Sequence, residues 1–118
     1  MNKIKAILLE GGKSKEIMLS KDSKQNVKET RDILGIGHMP EYLSFGDVYI
    51  MLWQEDFEEE ISMQLTCTAG FSYPIFIRSK VVILHEDSLN GELIDVDMEE
   101  LKTYFKTNGD IWALMKFD

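Results

Sequence analysis

Cys67 is the only cysteine, so the chain can form no internal disulfide. Without such a framework, a reducing compartment is expected. Proline is scarce as well. Pro40 and Pro74 are the two present, and neither belongs to a linker-like stretch that would divide the 118 residues. No apolar run approaches the roughly 20 residues a membrane helix requires. The early run Ala6-Ile7-Leu8-Leu9 is shorter than a signal-peptide core. There is no low-complexity tract and no internal repeat. The expectation is one domain, residues 1–118, in the cytoplasm and without a membrane partner.

What is present fits a packed domain. Hydrophobic residues make up 44% and aromatic residues 10%, enough to bury about two-thirds of the surface an unfolded chain of this size exposes. The net charge of −8 is unevenly spread. Residues 1–40 hold eight Lys/Arg against five Asp/Glu, and residues 41–118 hold five against sixteen. Local sums are therefore +3 and −11. Such a balance argues against direct binding of nucleic acid, whose phosphates need cations to displace their counterions. It suits attraction to a basic protein surface.

Periodicity outlines the elements. Ile4, Ala6 and Leu8 alternate along a first strand, Gly11-Gly12 breaks it, and Ile17-Met18-Leu19 reads as the returning strand of a hairpin. Asp22 or Ser23 caps a helix over 23–34, with Val27, Thr30 and Leu34 on its inner side and Gly35 as a left-handed stop. The segment 48–53 is apolar on both alternating faces, as in a central strand. Ile61, Met63 and Leu65 alternate as a strand, although Phe57, Ile61 and Leu65 also define a helical register. Ile75-Phe76-Ile77 and then Val81–Leu84 read as another buried strand, and Asn90-Gly91 marks a turn. Asp97 and Glu100 have capping-box spacing before a helix that carries Met98, Leu101, Tyr104 and Phe105 on one face. Residues 111–117 read as a last strand. The order β-β-α-β-β-β-α-β predicts an α+β fold, a mainly antiparallel sheet covered by one or two helices. Val48, Ile50, Leu52, Val82, Leu84, Leu101 and Phe105 are its expected core.

Catalytic and metal patterns are incomplete. Gly12-Lys13-Ser14 resembles the end of a phosphate-binding loop, but Ile7 stands where the leading glycine belongs and a strand follows in place of a helix. Glu86, Ser88, Asn90, Gly91 and Asp97 match a calcium-loop spacing, yet the first and twelfth residues are wrong and the flank is a strand. His38 and His85 have no partner at zinc-ligand spacing. Cys67 lacks a sequence-adjacent base and reads as a thiol buried in a strand. No enzyme and no cofactor are expected.

The remaining feature is the acidic run Glu55, Asp56, Glu58, Glu59 and Glu60, beside Trp53 and Phe57. Spaced carboxylates engage Arg and Lys through charge-assisted hydrogen bonds, much as phosphate oxygens do. Neighbouring aromatics would form the desolvated centre of an interface. These seven residues are the expected partner-binding set, and their partner is a basic protein surface, such as that of a nucleic-acid-binding enzyme. A solvated loop is the competing reading.

The Ile4–Ile7 strand, the helix ending Leu34-Gly35, Asp47–Ile50, Val81–Asp87, Asn90-Gly91-Glu92 and Asp97–Leu101 together resemble a family of small α+β domains. That family is frequent in phages, plasmids and Gram-positive bacteria, and some of its relatives are labelled antirestriction or anti-CRISPR proteins. The resemblance implies a mobile-element protein that inhibits or modulates a host-defence protein acting on nucleic acid. It assigns no functional residue. An immunity protein neutralising a toxin would share the acidity. A nucleotide- or small-molecule-binding sponge would use the basic first forty residues, with Lys13, Lys15 and Arg31.

Overall fold

In the computed structural model the central segment is Val81–Glu86, buried continuously from Val81 to Leu84. The structure describes residues 2–10, 13–45, 49–54, 63–65, 75–77, 80–104, 107–108 and 111–112. The elements are β1 (Lys3–Glu10), β2 (Lys13–Ser20), α1 (Ser23–Leu34), β3 (Glu41–Phe45), β4 (Tyr49–Trp53), β5 (Met63–Leu65), β6 (Ile75–Ile77), β7 (Val81–Glu86), β8 (Leu93–Ile94), α2 (Met98–Tyr104), β9 (Thr107–Asn108) and β10 (Ile111–Trp112). Six strands form an antiparallel sheet ordered β2-β1-β7-β4-β3, with β8 also on β7. β5 pairs with β6, and β9 with β10, as two separate ribbons. The fold is α+β with a mainly antiparallel sheet, as expected.

Register assigns the two faces. Ile7, Ile83 and Met51 are aligned across β1, β7 and β4, as are Leu8, Val82 and Leu52 one step along. One face therefore carries Ile4, Ala6, Leu19, Val82 and Leu84, packed with Leu34 of α1 and Leu93. The other carries the buried Ile7, Leu9, Tyr49, Met51, Trp53, Val81 and Ile83. Leu101 of α2 is also fully buried.

Local chemistry fixes α1. The Asp22 carboxylate accepts the Gln25 N–H at 3.0 Å, the N-cap bond. At the other end Gly35 adopts φ 72°. Its N–H reaches Asp32 O, and the Ile36 N–H reaches Arg31 O, a Schellman closure that a residue with a Cβ would strain. The buried side of α1 is Asn26, Thr30 and Leu34. Val27, expected inside, is 38% exposed. Asn26 takes the inner position because its polar atoms are satisfied there. Its Nδ2 donates to Ser20 O, and its Oδ1 accepts from Thr30 Oγ1.

The expected core holds at Val82, Leu84 and Leu101. Ile50 and Leu52 are only half-buried, and Tyr49, Met51 and Trp53 are the buried residues of β4. The reason is position: β4 adjoins the edge strand β3, where cover on the α1 side thins. Val48 and Phe105 lie outside the described residues. Ile75–Ile77 and Val81–Leu84, expected in one stretch of sheet, belong to different sheets. Residues 63–65 are strand rather than helix. The edge strand β3 was not anticipated, and of the expected last strand the structure describes Ile111–Trp112.

Candidate interaction surface

From Val81 to Leu101 the sequence has seven carboxylates, Glu86, Asp87, Glu92, Asp95, Asp97, Glu99 and Glu100, and no Lys or Arg. The fold gathers them at one end of the sheet: the end of β7, its turn into β8, and the start of α2. Several have defined local bonds. Asp87 Oδ1 accepts the Leu89 N–H at 2.8 Å, and Asp87 O accepts the Gly91 N–H at 2.8 Å. Gly91 takes φ 73° to close this turn, a conformation glycine adopts without steric cost. Leu89 stands at the tip, 93% exposed. Asp95 Oδ1 accepts the Lys5 N–H, and the Val96 N–H reaches Lys5 O, which ties the connection after β8 to β1. Asp97 Oδ1 accepts the N–H groups of Glu99 and Glu100, so the expected N-cap forms. Acidic residues in the first turn of α2 also complement the positive end of the helix dipole.

Beneath this end, Tyr49 of β4 and His85 of β7 are register partners and stack. Burial and then the nearby Glu100 charge raise the Tyr49 phenol well above its ordinary value, against a lowering hydrogen bond with the Asp97 backbone. His85 Nδ1 lies 2.9 Å from Asp95 O; because a carbonyl only accepts, that nitrogen carries the proton. The pair joins the sheet to the β8–α2 connection.

The residues expected to bind a partner divide. Trp53 is 7% exposed, at the end of β4 beside Val81, so its indole contributes to packing. Glu55, Asp56, Phe57, Glu58, Glu59 and Glu60 lie outside the described residues, as does Cys67. Because Trp53 aligns with Val81 and Tyr49 with His85, β4 finishes at the end of the sheet opposite the Glu86–Glu100 carboxylates. Sequence reading passed over this second acidic segment, although its lack of cations over twenty-one residues was legible.

The weaker motifs take structural places. Lys13 and Ser14 begin β2, with Lys13 opposite Glu10 across the hairpin. The calcium-like spacing falls on the β7–β8 turn, and its last member caps α2. Among the described residues no group of three or more His, Cys, Asp or Glu could hold a metal ion, and no helix is long and apolar enough to cross a membrane. An open cleft of about 540 Å³ runs between Asn2, the Ser20–Ser23 turn and Asn90–Leu93. Among the described residues that line it, the cation Lys21 is paired with Glu92 at 3.7 Å, and there is no aromatic ring. That is poor provision for a nucleotide. No family model, no curated protein and no solved structure matches the chain.

Proposed function

We propose that this is a non-enzymatic binding protein, encoded by a mobile element, that inhibits or modulates a nucleic-acid-handling protein of host defence through its acidic surface. The observation that carries the reading is the charge distribution. Residues 81–101, a segment without Lys or Arg, bring seven carboxylates to one end of the sheet, where Lys21 pairs with Glu92. Residues 55–60 hold five more in sequence, after β4 has ended at the opposite end of the sheet. Such a display steers association with a basic surface and sets its register. It repels nucleic acid itself, so the contact is with the protein that handles it. The resemblance in strand, turn and cap residues to phage and plasmid domains supports the mobile-element origin.

The test is capture from the lysate of the native host by three immobilised forms. They are the wild type, a variant with residues 55–60 neutralised by Glu→Gln and Asp→Asn, and Glu86→Gln/Glu92→Gln/Glu99→Gln. A nucleic-acid-binding protein held by the wild type and lost from a folded neutralised form supports the proposal. Equal capture by all three contradicts it.

A further inference from the structure

One part of the surface departs from the acidic rule. Lys24, Val27, Lys28 and Arg31 follow one another at the spacing that places residues on a single helical stripe of α1. Asp32 lies to its side, leaving the stripe cationic. None of the three cations is in an ion pair among the described residues, whose pairs are Lys21–Glu92 and Lys80–Glu10. Arg31 Nη2 lies 2.8 Å from Met39 Sδ, and its buried Nε has no hydrogen-bond partner among those residues. Below the stripe is an apolar crevice of about 60 Å³, walled by Val27, Met39, Pro40, Leu52 and Leu84. Met39 is 63% exposed, and the nearby Tyr42, register partner of Leu52, is 69% exposed. Among the described residues, three of the five exposed large hydrophobics, Val27, Met39 and Tyr42, thus gather at one place.

The complement of this surface exists on the same molecule. The β7–β8 turn presents Leu89 at 93% exposure, flanked by Glu86, by Asp87, whose Oδ1 holds the Leu89 N–H, and by Glu92, which would exchange its Lys21 partner for the stripe. An aliphatic tip among carboxylates matches an apolar crevice beside Lys24, Lys28 and Arg31 in polarity and charge. We infer that the occupant of the crevice is a second copy of this chain, its Leu89 turn seated beneath α1 with the tip carboxylates against the Lys24–Arg31 stripe. The contact area is small, so the association is weak and concentration-dependent. If the two contacts are reciprocal the result is a closed dimer; if not, copies add head to tail. The contact does not depend on the basic partner proposed above.

Because each copy carries a charge of −8, added salt relieves general repulsion while weakening the local attraction. Substitutions therefore decide the matter. Sedimentation velocity over rising concentration should show the wild type passing from the 13.6 kDa monomer to larger species. Leu89→Ser and Lys24→Glu/Lys28→Glu should each remain monomeric at concentrations where the wild type associates, with melting curves showing that both are folded. Mixed together, these variants hold one intact tip and one intact crevice, and should recover a species of twice the monomer mass. A wild type that stays monomeric at every concentration overturns the inference and leaves the crevice to a foreign acidic segment. Association that survives both substitutions also overturns it, and places the contact elsewhere, for example along the β3 edge.

Discussion

The rings of Tyr49 and His85 stack with centroids 4.1 Å apart and planes 10° from parallel, and this pair links β4 and β7 to the start of α2. Tyr49 is fully buried, with its phenol raised by burial and by Glu100. A raised folded value means the native state holds the proton where the unfolded chain releases it. This contribution is complete below the unfolded value of about 10 and is lost as pH rises through the folded value. The wild type should lose stability above about pH 10, and Tyr49→Phe should flatten that part of the profile. Urea midpoints measured across the alkaline range check this; an unchanged slope in Tyr49→Phe would contradict it.

Removing the other ring tests the same junction at neutral pH. His85→Ala loses the stack and the bond to Asp95 O, and should cost about 1–2 kcal/mol in urea unfolding. A cost near zero would mean the pair does not secure the β8–α2 connection.

The ends of α1 give a separate measurement. Asp22→Ala removes the N-cap bond and should cost about 1 kcal/mol. Gly35→Ala forces a Cβ into the left-handed region and should cost roughly 1–2 kcal/mol. A Cβ at Gly35 would meet no atom within 4 Å, so the whole effect is conformational, and Gly35→Asn should recover part of it.

Leu101→Ala should cost about 2–5 kcal/mol, because the side chain is fully buried. Val27→Ala, on the outer stripe of the other helix, should change stability by about 0.5 kcal/mol or less. Similar losses from the two would contradict the assignment of buried and exposed helix faces.

Much of the fold was legible because its signals are local. Asp22 and Gly35 bracket α1, Asn90-Gly91 turns the chain, and Asp97 caps α2, each through its own backbone bonds. What escaped depends on distant partners. The edge strand β3 has only five residues and a mixed outer face. The inner face of α1 was misplaced toward Val27 because Asn26 is buried only by virtue of its bonds to Ser20 and Thr30. Apolar content alone could not show that β4 buries Tyr49, Met51 and Trp53 more deeply than Ile50 and Leu52, since register with β7 and β3 decides it. The acidic run at 55–60 is legible from its density, five carboxylates in six residues. The Glu86–Glu100 carboxylates are interrupted by gaps of up to four uncharged residues, so the segment shows itself by its lack of Lys and Arg rather than by density, and it forms one surface only when β7, β8 and α2 meet.

Recognition of a basic partner by carboxylates is tested most directly by the Kd of the captured protein as a function of salt. The screening length falls from about 10 Å at 0.1 M to about 3 Å at 1 M. For the wild type, Kd should rise steeply over that range, with the change carried largely by the association rate. The folded variants neutralised at 55–60 or at Glu86, Glu92 and Glu99 should bind more weakly at low salt and respond less to added salt. A Kd independent of salt and equal in all three proteins would contradict that recognition.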